Sequence, residues 1–152
     1  MSYKIIVDGI QHKFSSAHFI VGHDKCGRLH GHNFHVAVEF GGPLDPRYNF
    51  VVDFIDVKNA IKAEVDKLDH RILIPTASKD LVLKESKDNL DFTFSGKRYS
   101  VPRDDVCLLP LPAVTSELLA KHFHDVLSQR FKGFKIKVRI GETSSTFAEY
   151  GE

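Results

Sequence analysis

The stretch Cys26-Gly27-Arg28-Leu29-His30-Gly31-His32-Asn33-Phe34 decides how this chain is read. His30 and His32 are two residues apart, so in an extended strand they leave from the same face. Beyond them Phe34, Val36, Val38 and Phe40 continue one side, while His35, Ala37 and Glu39 take the other. A strand that opens on two imidazoles and runs on into apolar residues reads as a metal site at the end of a buried surface. Upstream, Phe14-Ser15-Ser16-Ala17-His18 has the pattern of a second strand's tail. If the two strands pair across the intervening loop, His18 completes a three-histidine set. Three neutral imidazoles with one open position are the coordination expected of catalytic zinc. Cys26, four residues before His30, then lies beside the metal without having to bind it. A His-Gly-His triplet alone is weak evidence, because paired histidines occur on ordinary strand surfaces. His18 and Cys26 are what raise it.

The chain has 152 residues, the size of one domain with a substantial core. Its 42% hydrophobic and 27% charged residues are those of an ordinary globular protein. Lys and Arg number 21 against 20 Asp and Glu, a net charge of +1, so there is no bulk electrostatic case for nucleic acid or a membrane surface. Two cysteines make no disulfide framework. Cys107, between Val106 and Leu108, reads as a small buried hydrophobe. The segment from Met1 to Asp8 is too short and too charged for a signal peptide, and no apolar run approaches membrane-spanning length. The expected compartment is a reducing cytoplasm.

From the N-terminus, a strand-like Tyr3 to Val7 leads through Asp8-Gly9 into Gln11 to Phe14. Gly41-Gly42-Pro43-Leu44-Asp45-Pro46 ends the His30 strand with a dense turn signal. Asp53 is positioned to cap a helix, with Asp56 three residues on. Val57, Ile61, Val65 and Leu68 recur at helical spacing, with Lys58, Lys62, Glu64 and Lys67 turned outward. The helix runs into Leu68-Asp69-His70-Arg71-Ile72-Leu73, and Pro75 stops it. The adjacent Asp69 and His70 read on their own as a solvated helix end, where an imidazole suits the dipole. Residues 76–112 are an excursion rather than a second domain. Within them, Leu90 to Phe94, Ser95-Gly96 and Lys97 to Val101 form a β-hairpin that gathers Phe92, Phe94, Tyr99 and Val101. Thr115-Ser116-Glu117 opens a second helix with Leu119, Phe123, Val126 and Leu127 inward and Gly133 as its stop. Lys135 to Ile140 alternates as a strand with Ile136, Val138 and Ile140 inward, and Thr146 to Tyr150 closes the sheet. Glu142 falls in phase with the apolar face, where an acid is costly unless paired; the alternative is a solvated turn residue. His12, His23 and His35 read as surface or core histidines, His23 being the most ambiguous because it shares the Cys26 loop.

Taken together, Phe14-Ser15-Ser16-Ala17-His18, Cys26 through Asn33, Val51-Val52-Asp53-Phe54, Leu68-Asp69-His70 and Gly141-Glu142-Thr143 occur in the order found in the 6-pyruvoyltetrahydropterin synthase family, which the chain resembles over nearly its whole length apart from roughly residues 76–112. The resemblance implies zinc on His18, His30 and His32, a catalytic Cys26, a catalytic pair Asp69 and His70, and a pterin-anchoring Glu142. Thr115 and Ser116 would cradle the pterin, although Val114-Thr115-Ser116-Glu117 replaces the family's usual Pro-Thr before the second helix. The three residues between Cys26 and His30 are similar to the 6-carboxytetrahydropterin synthase branch, which feeds the 7-deazaguanine route to queuosine and archaeosine in tRNA. The 6-pyruvoyl branch has a longer spacing, and a further branch carries Glu in this loop.

The fold implied by resemblance is α+β, the tunnelling fold: an antiparallel four-stranded sheet with two helices on one face, here with the hairpin segment inserted in a single domain of residues 1–152. Members assemble as homo-oligomers, commonly hexamers, with active sites between subunits. The implied substrate is the pterin 7,8-dihydroneopterin triphosphate, and neither nucleic acid nor a membrane is a direct partner. Zinc would act as a Lewis acid on side-chain hydroxyls, Cys26 as a thiolate base, and His70, oriented by Asp69, as a proton relay. Glu142 would accept two hydrogen bonds from the guanidine-like pterin edge. Lys25, Arg28 and Arg71 are candidates for the triphosphate, against the plainer reading of solvated surface charge. Alternatives are a 6-pyruvoyl product, a different histidine-ligated zinc enzyme such as a hydrolase, and a non-catalytic zinc module with Cys26 as fourth ligand.

Overall fold

In a computed structural model describing residues 3–152, β1 runs unbroken from Tyr3 to His18. Met1 and Ser2, part of the segment read as unlike a signal peptide, lie outside the described residues. Asp8-Gly9 does not divide the strand as its turn-forming composition suggests. Instead the inward set changes phase along it: Val7 is buried, then His12, Phe14, Ser16 and His18. A one-residue phase change is the signature of a β-bulge, and it turns the even-numbered tail, His18 included, toward the interior. β2, His30–Gly42, carries Phe34, Val36, Val38 and Phe40 inward, as its alternation requires.

The helix α1, Phe54–Leu68, begins where Asp53 accepts the Ile55 backbone N–H at 2.7 Å, the N-cap bond. It stops at Leu68, earlier than the periodicity predicts, because His70 takes a left-handed conformation (φ 57°) that no helix continues through. Ser16 Oγ donates to the Leu68 carbonyl at 2.6 Å and satisfies one of the orphan acceptors at that end. Arg71–Pro75 is therefore a strand, β3, rather than the helix's last turn.

β4, Val82–Glu85, β5, Asn89–Phe94, and β6, Lys97–Pro102, follow. A turn of 3₁₀ helix at Arg103–Asp105 leads to β7, Val106–Leu109. The remaining elements are α2, Ser116–Arg130, then β8, Lys135–Gly141, and β9, Phe147–Gly151. Six strands form one sheet in the order β7-β3-β1-β2-β8-β9, and β4-β5-β6 form a second. The expected four-stranded antiparallel sheet is thus corrected to a six-stranded mixed one. β3 pairs parallel with β1 (Ser16 with Arg71) and with β7 (Leu73 with Cys107), while β8 pairs antiparallel with β2 and β9. Two of its strands come from a stretch read as a helix end and from the 76–112 excursion. Residues 76–112 accordingly supply more than a hairpin, since β7 belongs to the larger sheet. The hairpin itself is as expected: Ser95 (φ 48°) and Gly96 (φ 73°) both take positive φ, the type I′ turn that matches strand twist.

The described residues form two compact units. One comprises the chain through Phe14, Asn33–Asp66 and Ser116–Glu152; the other comprises Ser15–His32 and Lys67–Thr115. The first is built on Phe14, Phe34 and Phe123, with Phe14 stacked on Phe34 at 4.9 Å. In it Leu119, Phe123 and Leu127 of α2 are buried as expected, while Val126 is half-buried and Ala120 takes its place inside. Glu64 is not turned outward: it is buried, 2.7 Å from His122 Nε2. The second unit has its own core of Phe19, Ile74, Leu81, Leu90, Phe92, Phe94 and Val106. Cys107 is half-buried there. No helix among the described residues is long and apolar enough to cross a membrane.

Candidate active site

The site begins at two strand ends in the second unit. β1 finishes on His18 and β2 starts on His30, so the strands that pair in the sheet bring their terminal imidazoles together. Ligand atoms of His18, His30 and His32 lie within 4.8 Å of one another, with ring centroids 4.6 to 5.1 Å apart. Gly31, between the two β2 histidines, is required by the same pairing. A Cβ there would stand 3.0 Å from the Ser16 carbonyl oxygen, so any side chain would push β2 away from β1.

The second ring nitrogens fix the tautomers. His18 Nδ1 is 2.8 Å from the Val114 carbonyl, and His30 Nδ1 is 2.7 Å from the Arg28 carbonyl. A carbonyl only accepts, so each Nδ1 carries the proton and each Nε2 keeps its lone pair. That is the arrangement of a metal-binding imidazole oriented by a backbone acceptor. The trio fits a borderline metal that favours nitrogen donors. No cysteine or carboxylate joins the group among the described residues, so Cys26 stands outside the ligand set.

Cys26 sits in the loop between His18 and His30, half-buried and with a free thiol. The loop is knitted by its own backbone. Ile20 N–H donates to the Cys26 carbonyl (2.7 Å), and Gly27 N–H donates to the His23 carbonyl (2.9 Å). The Cys26 N–H donates to His23 Nδ1 (3.0 Å), so His23, open between surface and core in the sequence, acts as a loop cap. Its signal was its place three residues before Cys26, the spacing of a side-chain-to-backbone turn.

Asp69 and His70 are anchored to β1 three residues before His18. Asp69 Oδ1 accepts the Ser15 N–H at 2.8 Å, and the His70 N–H donates to the Ser15 carbonyl at 2.7 Å. The other carboxylate oxygen is 2.8 Å from His70 Nδ1. The Ser15 amide, seconded by His70, holds the Asp69 carboxyl below the usual carboxylate range although partial burial opposes this. Asp69 therefore remains an anion that orients the imidazole, and His70, 83% exposed, presents Nε2 outward. The pair does follow directly on the end of α1, and its turn is in addition locked to a strand.

The predicted substrate residues are divided between the units. Thr115 immediately precedes α2 and Ser116 is its first residue. Glu142 follows directly on β8 and is half-buried, the strand ending one residue before it. The loop after it is held by Thr143 Oγ1, which is 2.7 Å from Thr146 Oγ1 and accepts the Thr146 N–H at 3.1 Å. Lys25 and Arg28 are exposed in the Cys26 loop, and Arg71 is exposed at the start of β3.

A family model described as 6-pyruvoyl tetrahydropterin synthase matches residues 9–152. A Methanocaldococcus jannaschii protein named putative 6-carboxy-5,6,7,8-tetrahydropterin synthase is 38% identical over 136 residues, covering 86% of this chain and 83% of that protein. The Aquifex aeolicus protein named 6-carboxy-5,6,7,8-tetrahydropterin synthase is 32% identical over 136 residues, covering 85% and 77%. In fold, the crystal structure of 6-pyruvoyl tetrahydropterin synthase from Plasmodium vivax matches with a TM-score of 0.91, over 100% of this chain and 98% of that one, at 24% identity. The shared fold therefore includes residues 76–112.

Proposed function

Because the chain belongs to the 6-pyruvoyl tetrahydropterin synthase family, a family of pterin-forming lyases, we propose that it is a zinc-dependent 6-carboxy-5,6,7,8-tetrahydropterin synthase. It converts 7,8-dihydroneopterin triphosphate and one water to the 6-carboxy product, with loss of triphosphate and of a two-carbon fragment as acetaldehyde, on the cytoplasmic 7-deazaguanine route to queuosine or archaeosine. The observation that carries the reading is the three-imidazole group within 4.8 Å, with the Nδ1 protons of His18 and His30 held by backbone carbonyls and Cys26 outside the set. The names of the M. jannaschii and A. aeolicus relatives support the 6-carboxy branch.

His18, His30 and His32 hold the zinc, which when bound supplies Lewis acidity toward the hydroxyls of the substrate side chain. Cys26 as thiolate removes a carbon-bound proton, and its loop sets which carbon is within reach. His70, kept in one tautomer by the Asp69 anion, passes protons at Nε2 during the internal redox rearrangement. Glu142 takes the two N–H groups of the pterin edge, and Thr115 and Ser116 are assigned to cradling the pterin by family resemblance. The whole chain acts as one catalytic domain, and assembly into a homo-oligomer, a hexamer by family resemblance, completes sites between subunits. Strongly exposed Ile6 and Ile10 on β1 and Phe147 on the edge strand β9 are in keeping with such assembly.

The test is metal content beside turnover. Purified protein should hold about one zinc per chain, and His30→Ala should lose it. Cys26→Ala should keep zinc and fold while turnover drops ~10²–10⁴-fold, the usual cost of a lost general base. Zinc lost with Cys26 would instead mark a closed four-ligand structural site.

A further inference from the structure

The hairpin of β5 and β6 reaches the Cys26 loop at two points. Lys97, first residue of β6, donates from Nζ to the Gly27 carbonyl at 2.8 Å, next to Cys26 in sequence. Its ammonium also lies 5.7 Å from the centre of the Phe94 ring. Phe19, which directly follows His18, stacks on Phe94 at 4.2 Å with the rings 6° apart, and on Phe92 at 5.5 Å. Tyr99 extends that stack on Phe92 at 4.8 Å. The entry of the loop is thus held by aromatic packing and the Cys26–Gly27 peptide region by a charge-assisted hydrogen bond.

Gly27 makes the second hold local and stiff. It is buried, and a Cβ on it would stand 2.2 Å from the His23 carbonyl oxygen, the acceptor of its own N–H. His23 in turn accepts the Cys26 N–H. A pull or release at the Gly27 carbonyl is therefore transmitted through one short turn to Cys26. A lysine serving only solubility would extend its amine into water; this one is half-buried with its stem along Phe94.

We propose that the β5–β6 hairpin braces the Cys26 loop and that Lys97 is a positioning residue for the Cys26 thiol. The proposal rests on the reading of Cys26 as proton-transfer group, and the two are separable. In zinc-loaded full-length protein, Lys97→Met keeps the stem and deletes the donor. Hydrogen exchange at the amides of residues 20–27 should accelerate at least several-fold. The kcat for 7,8-dihydroneopterin triphosphate should fall ~10–100-fold, the scale of a displacement of about 1 Å, with KM changed less than about twofold. Zinc content should be unchanged, since His18 and His30 take their orientation from the Val114 and Arg28 carbonyls rather than from Lys97. Lys97→Arg, which retains a donor, should recover most of kcat and of loop protection, and it serves if Lys97→Met folds poorly. Native loop exchange and native kcat in Lys97→Met would overturn the proposal. Faster loop exchange in Lys97→Met together with undiminished turnover in Cys26→Ala would uphold the brace and overturn the catalytic reading of the thiol it holds.

Discussion

Two carboxylate–imidazole pairs occur in this chain, and their settings are opposite. Glu64 and His122 meet at 2.7 Å with side chains 5% and 16% exposed, tying α1 to α2. Asp69 and His70 meet at 2.8 Å with side chains 37% and 83% exposed, on a turn where His70 takes a left-handed φ. The same chemical pair is a strut where water is excluded and, in the function proposed above, a proton-handling device where one partner faces out. A buried pair earns its place by satisfying groups that would otherwise be costly. An exposed one contributes little to stability, so a strained backbone that presents it points to function.

The sharpest way to break this comparison is to remove each imidazole in turn. His70→Asn, chosen because Asn tolerates the left-handed conformation, should lower turnover ~10²–10⁴-fold and leave the melting temperature within about 2 °C. A large loss of stability with full activity would reverse the roles of the pairs. His122→Ala should do the opposite. Taking this partner from buried Glu64, one of those it has, costs about 2 kcal/mol, or roughly 4–8 °C in melting temperature for a chain of this size, with turnover per folded molecule within about threefold. Calorimetry beside steady-state kinetics reads both.

A smaller effect separates titration in the two units. His12 is buried on β1 with no hydrogen-bond partner for either ring nitrogen among the described residues. Burial, then the nearby Lys58 and His35, push its pKa down, with Asp8 opposing. Below about pH 6.5 the unfolded chain gains a proton that folded His12 resists, so stability falls as pH drops through that region. Asp69 behaves as a depressed carboxyl: its contribution is complete above the ordinary value of 3.8 and is lost only as pH falls through its lower folded value. Urea midpoints should therefore decline first below about pH 6.5 and again only near pH 4 and under. His12→Leu should flatten the first limb and leave the second. An unchanged first limb would assign it to other histidines.

The struts and devices were unequally legible. The histidine trio was readable because period two fixes the face of His30 and His32, and because paired strand ends bring His18 to them. Helix α1, its Asp53 cap and the Ser95-Gly96 hairpin were readable from local rules alone. Glu64 was misread as outward although it stands at i+3 from Ile61 and i−4 from Leu68, on the apolar stripe itself; charge was given more weight than phase. β3 was missed because Leu68, Ile72 and Leu73 continue the helical pattern. The stop signal is a histidine in a conformation that glycine or asparagine usually announces. β7 was missed because parallel pairing is set by residues far away in sequence, and a four-residue strand leaves little periodicity to find. The Asp69–His70 pair was identified by resemblance rather than pattern, since nothing in two adjacent residues encodes the Ser15 backbone that anchors them.

The central claim is that these histidines, Cys26 and the Asp69–His70 pair together make a 6-carboxytetrahydropterin. It is tested most directly by incubating the zinc-loaded protein anaerobically with 7,8-dihydroneopterin triphosphate and identifying the pterin and small fragments by mass. The account predicts 6-carboxy-5,6,7,8-tetrahydropterin with acetaldehyde and triphosphate released, and their loss in Cys26→Ala. A dominant 6-pyruvoyl or 6-hydroxymethyl pterin would contradict it.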